Sequence, residues 1–163
     1  MNKLLIALLI LLLPFMANAR SSKNDKIRTS GGVNIGGSGF SIDASFDPRL
    51  DKLIPGYRIL NVALINASLD IIPLHPEKDK WFAHLGKGKK VSGVIDLRRA
   101  DPETWSKLPE RVRQKIAYPL ALPIGANLVV DLFFPSGTPL EKLTQVSVRL
   151  DALKTTIEVL VRE

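Results

Sequence analysis

The sequence has no cysteine. Disulfides, thiolate zinc sites and a cysteine nucleophile are therefore excluded. Histidine is scarce as well: His75 and His84 are the only imidazoles on which metal or acid–base chemistry could draw. Both methionines, Met1 and Met16, stand near the N-terminus, so the rest of the chain has neither thiol nor thioether for a soft metal such as Cu(I). No uninterrupted apolar run approaches the roughly 20 residues that a helix needs to span a bilayer. At 163 residues the chain is too short for a multidomain enzyme or a full (β/α)₈ barrel.

The most apolar stretch is at the start. Lys3 precedes ten uncharged apolar residues, Leu4 to Leu13, followed by Pro14 and by Ala17-Asn18-Ala19. A basic residue, a short apolar segment and small residues before a cut are the parts of an export signal. Residues 1–19 are therefore expected to be a signal peptide cleaved after Ala19, with no transmembrane anchor left behind. The expected mature chain of 144 residues keeps 22 basic against 16 acidic residues, a net charge of +6. It is large enough to bury about two-thirds of its chain surface without disulfide staples. An export signal on a cysteine-free chain points to a bacterial host and a periplasmic or extracellular location.

Residues 20–39 are polar and hold five of the eleven glycines. Such a segment has little apolar surface to offset its ordering entropy, so a flexible Gly/Ser-rich arm is expected, with a weak edge strand at Val33 and Ile35. From Phe40 the pattern alternates. Phe40, Ile42, Ala44 and Phe46 are apolar, and Ser41, Asp43 and Ser45 are polar, as in a half-buried strand. Residues 57–67 are apolar on both faces, which places that strand centrally in its sheet. A short extended piece follows at 71–74, stopped by Pro73 and Pro76. Further strands are expected over 80–84, 90–97, 127–134, 145–150 and 155–161, with an extended piece over 118–124. Asp101-Pro102-Glu103 reads as a helix start, with an Asp cap, Pro in the first turn and an acid to meet the helix dipole. Trp105, Leu108, Val112 and Ile116 continue it at helical spacing, with a break expected at Pro109.

Seven or eight short strands, frequent turns and one helical insertion make an all-β chain. The expected fold over 40–163 is an antiparallel two-sheet Ig-like sandwich. The segment Ile59-Leu60-Asn61-Val62-Ala63-Leu64-Ile65-Asn66-Ala67-Ser68 resembles the apolar strand followed by Asn-x-Ser that is common in exported bacterial Ig-like domains of unknown function. The resemblance implies a sandwich fold and carries no activity with it.

Catalytic constellations are poor. Gly36-Gly37-Ser38-Gly39 lacks the final glycine, preceding strand and following helix of a serine elbow. It also lacks the Gly-Lys-Ser/Thr ending of a phosphate loop. His75, Glu77, Asp79 and His84 lie within ten residues and are the candidate metal ligands, but their spacing matches no zinc signature and Glu77-Lys78-Asp79-Lys80 reads as a solvated loop. Asp101 and Glu103 are accounted for by the helix start. Alternation directs Asp131 out of its strand, with a buried acid of raised pKa as the sharper alternative. The main functional signal is basic. Lys78, Lys80, Lys87, Lys89, Lys90, Arg98 and Arg99 outnumber the acids over residues 75–99, with Trp81 among them, and Gly86-Lys87-Gly88 forms a cationic hairpin tip. These eight are the candidate binding residues, although Trp81 also fits the core. Such a field attracts anionic surfaces, while solubility and edge protection are the plainer explanations of the same lysines. Nucleic acid is not the expected partner, because no RNA- or DNA-binding motif is present.

These signs point to an exported, non-enzymatic binding or accessory module of the cell envelope. It would need no cofactor and would dock to an envelope protein or an anionic polymer through an exposed edge or charge complementarity. The alternatives are a small periplasmic metal-dependent hydrolase using His75 and His84, and a structural subunit of an envelope assembly.

Overall fold

The computed structural model describes residues 28–30 and 39–162. The expected signal peptide and most of the expected arm, Val33 and Ile35 included, lie outside them. The described residues form ten strands: β1 (Arg28–Ser30), β2 (Phe40–Phe46), β3 (Tyr57–Asn66), β4 (Ile72–Pro73), β5 (Lys80–Leu85), β6 (Lys89–Gly93), β7 (Ala121–Leu122), β8 (Asn127–Pro135), β9 (Leu143–Leu150) and β10 (Thr155–Arg162). Three short helices, α1 (Leu97–Ala100), α2 (Pro102–Lys107) and α3 (Glu110–Ile116), separate β6 from β7. The protein is thus mostly β, with antiparallel pairing throughout and a small helical insertion.

Eight strands hydrogen-bond in the order β6-β5-β9-β10-β1-β2-β3-β8, and β4 pairs separately with β7. The two ends of the order meet where Val94, just after β6, pairs with Phe133 of β8. β1 joins the two halves of the sheet, with Thr29 opposite both Arg162 of β10 and Ser45 of β2. Three residues of the expected arm are therefore strand. Backbone pairing on both sides needs no apolar side chain, so a polar tripeptide can fill this position.

The alternation of β2 is realised as read: Phe40, Ile42, Ala44 and Phe46 are buried. They meet Leu60, Val62 and Leu64 of β3 and Val130, Leu132 and Phe134 of β8 in one core. Across that core stand Trp81, Ala83 and Leu85 of β5, Val146, Val148 and Leu150 of β9, and Ile157 and Val159 of β10. β3 lies between β2 and β8, which explains its apolar second face. That face is covered by the helical insertion. Ile59 and Phe133 are buried with Leu97, Leu108 and Ile54, and Trp105, Val112 and Ile116 pack around them.

The helix start is also realised. Asp101 caps α2 by accepting from the Thr104 N–H at 3.0 Å, and Pro102 occupies the first turn. The chain is extended at Leu108 and Pro109 between α2 and α3, where a break was expected. Two expectations need correction. The strand expected over 90–97 ends at Gly93, because Asp96 caps the additional helix α1 by accepting from the Arg99 N–H. Trp81 does not belong to a binding surface: it is 1% exposed, and its indole N–H donates inward to Tyr118. Its position on β5 alternates with outward-facing Lys80 and Phe82, so the pleat that exposes those two buries the indole.

Two polar clasps bind segments distant in sequence. Arg58 donates to Asp51 at 2.8 Å, to the Thr138 carbonyl at 2.8 Å and to both oxygens of Glu141 at 2.9 and 2.6 Å. Burial opposes the Arg58 charge, but Glu141 and Asp51 outweigh it and raise its pKa. At the opposite end of β9, Asp79 accepts from the His75 N–H at 2.8 Å, the Asp151 N–H at 2.9 Å and the Tyr118 hydroxyl at 3.1 Å. Burial, with the Asp79 carboxylate beside it, pushes the Tyr118 phenol far up.

Candidate functional site: a cationic sheet face

Outward-facing positions of β5, β6 and β9 assemble the candidate surface. Register sets Lys80 opposite Arg149, His84 opposite Lys90 and Gln145, and Phe82 opposite Ser92 and Ser147. Lys80, Lys90 and Arg149 are exposed, while Phe82 and His84 are half-buried between them. The Lys90 ammonium stands 3.8 Å from the centroid of the Phe82 ring. This contact fixes one cation over an aromatic face and gives the patch a defined shape. The His84 Nε2 is 2.8 Å from the Ser147 hydroxyl, which anchors the imidazole to β9. Glu158 of β10, opposite Ser147, is the acid that register brings next to this patch.

Of the residues singled out in the sequence, Lys80 and Lys90 share this face. Lys87 and Lys89 are exposed at the adjoining hairpin end, where Lys87 takes the left-handed conformation at φ 66°. Lys78 instead faces Asp151, at 3.8 Å. Arg98 and Arg99 are exposed on α1 and border two separate cavities beside the helical insertion. Arg149 and Phe82 also belong to the surface, beyond the residues that the sequence singles out. Arg149 is 69 positions from Lys80, and only the pairing of β5 with β9 makes them neighbours. Its outward direction was nonetheless readable, since it alternates with Val148 and Leu150.

The two histidines do not converge on one centre. His84 engages Ser147, while the His75 Nδ1 is 4.0 Å from Glu77. Among the described residues no group of three or more His, Asp or Glu side chains is arranged to hold a metal ion. Asp79, the third member of the suspected loop cluster, is occupied by the three donors of its clasp.

Asp131 combines both expectations made for it. It faces away from the main core, as alternation requires, yet the helical insertion covers that face. Burial raises its pKa, against the opposing pull of an Asn61 side-chain hydrogen bond and the Lys115 charge. No helix among the described residues is long and apolar enough to cross a membrane. No family model, curated protein or solved structure matches the chain.

Proposed function

We propose that the protein is an exported, non-enzymatic binding module that docks an anionic envelope polymer on the outer face of β5, β6 and β9. The observation that carries this reading is the Lys90–Phe82 pair flanked by Lys80 and Arg149. A cation held over a ring, with two further cations on the same face, suits a repeating anionic chain that offers both charge and flat apolar surface. Charge complementarity is favoured over strand addition, because the cations of β5, β6 and β9 gather on a face of the sheet and not along one edge. The leader over 1–19 supports export, and a native product beginning at Arg20 by mass spectrometry is the expected outcome. The fold that goes with this function is an Ig-like sandwich, its halves β1-β2-β3-β8 and β10-β9-β5-β6 facing each other over the shared core.

The test is binding of a purified anionic cell-wall polymer at several salt concentrations. Reversing Lys80, Lys90 and Arg149 to Glu should weaken binding at least tenfold at low salt and flatten its salt dependence. Reversing Lys107 and Arg111, on the helical insertion, should leave it nearly unchanged. Equal losses from the two variants would reject this face as the site. Binding of poly-glutamate in preference to the wall polymer would redirect the reading to an acidic protein.

A further inference from the structure

A second site lies on the opposite half of the molecule. Between the outer face of β3 and β8 and the helical insertion is a cavity of about 460 Å³. That volume is within the range of small-molecule sites, roughly 300–1,000 Å³. Its apolar walls are the half-buried Leu50, Val112 and Ile116, over a floor closed by the buried Ile54 and Ile59. Leu53 and Val129, 61% and 64% exposed, stand at the rim. Its polar groups are Asn61, Asp131 and Lys115.

The chemistry of these three groups restricts what fits. Asn61 donates to Oδ1 of Asp131 and orients the carboxylate. Asp131 and Lys115 line the same cavity with an acid and a base, so the lining carries one group of each sign. A ligand with a net charge would attract one of the pair and repel the other in a site partly removed from water. A hydroxyl suits both, since it donates to the Asp131 carboxylate and accepts from the Lys115 ammonium. The aliphatic walls call for an aliphatic body behind that head.

We propose that this cavity binds an uncharged, single-chain amphiphile with a hydroxyl head, the head at Asn61, Asp131 and Lys115 and the chain along Leu50, Val112 and Ile116. The site is independent of the cationic face and its function, so either can fail without the other.

The test is titration of the purified protein with 1-hexanol, 1-octanol and 1-decanol, followed by amide NMR, with octanoate and octylamine as charged comparators. Affinity should tighten by about fourfold per methylene until the chain fills the cavity. 1-Octanol should bind at least tenfold more tightly than either charged molecule, with shifts confined to residues around Asn61, Ile116 and Asp131. Asp131→Asn leaves Lys115 unbalanced and should swing the preference at least tenfold toward octanoate; Lys115→Met should swing it toward octylamine. A merely structural role for these residues would weaken all three ligands together. Shifts elsewhere, no gain with chain length, or an unaltered head-group preference in both variants would each overturn the proposal.

Discussion

Asn66 shows how a surface-looking motif can be structural. Its side chain is 1% exposed, and its amide donates to the carbonyls of Asp70, Leu122 and Pro123, while its oxygen accepts from the Ser68 N–H and hydroxyl. The Asn-x-Ser stretch thereby closes the end of β3 onto the chain around β7. With the amide fully engaged, folded protein incubated with a glycosylating extract should gain no glycan at Asn66, as read by intact mass. Asn66→Ala strands buried carbonyls and should cost at least about 1–3 kcal/mol by urea denaturation. Asp131 gives a pH signature. Its folded pKa lies above the ordinary 3.8, so the folded state holds the proton more tightly than the unfolded chain. That contribution is complete below the unfolded value and is lost as pH rises through the folded one. Asp131→Asn should remove this loss, and urea midpoints followed from acid to neutral pH will show a flatter decline. Asp101 moves the opposite way: hydrogen bonds from Thr104 pull its pKa down, so its contribution is lost as pH falls.

Among the elements, the junction of β2 with the end of β3 is the most constrained. Gly39 has φ 67°, and a Cβ there would stand 2.7 Å from the Ser68 backbone nitrogen. Its carbonyl also accepts from the Ala67 N–H at 2.6 Å, which holds the backbones together. Gly39→Ala combines a left-handed backbone with a clash against main chain that has little room to retreat, and should cost more than the ~1–2 kcal/mol of the conformational penalty alone. Thermal unfolding beside wild type measures it. The helical insertion depends on its own small core. Leu108, 8% exposed between α2 and α3, packs with Phe133 and Ile59, and Leu108→Ala should lose about 2–5 kcal/mol. The extended backbone at Leu108 and Pro109 is what turns this leucine onto the sheet, so the break between the helices has a packing role.

At the scale of the whole molecule, Arg58 ties the 48–52 turn and β3 to the connection that carries the chain from β8 to β9, and it also stands 4.9 Å from the centroid of Phe46. Its side chain is 11% exposed against 21% for Asp51 and 40% for Glu141, so removing it strands the buried Thr138 carbonyl while water partly replaces the guanidinium at the carboxylates. Arg58→Ala should destabilise by about 1–3 kcal/mol, measured by chemical denaturation. Arg58→Lys should recover only part of the loss, because one ammonium cannot reproduce the forked contacts to Glu141 and the bond to Asp51. The Asp79 clasp has the same logic at the other end of β9, joining the β4–β5 turn, the β9–β10 turn and Tyr118. Between these clasps the two halves of the sheet enclose one core and present different outer surfaces: one cationic and open, the other covered by helices.

Most of the strands, their inward faces, the central place of β3 and the capped start of α2 were legible in the amino-acid order, whereas β1 within the expected arm and the helix α1 after Gly93 were not. Alternation, capping chemistry and proline act over a few residues, and Phe40 to Phe46 or Asp101 to Glu103 contain all that is needed. The neighbours across strands were not. Arg149 beside Lys80, the Lys90 ammonium over Phe82, and a helical cover over Asp131 arise only when distant segments pair. A two-residue period states which side chains share a face of one strand; it is silent about which strand lies alongside. Burial of Trp81 follows from the pleat, whereas the cationic face and the cavity exist only through long-range pairing, because each is built from residues that the chain separates by dozens of positions.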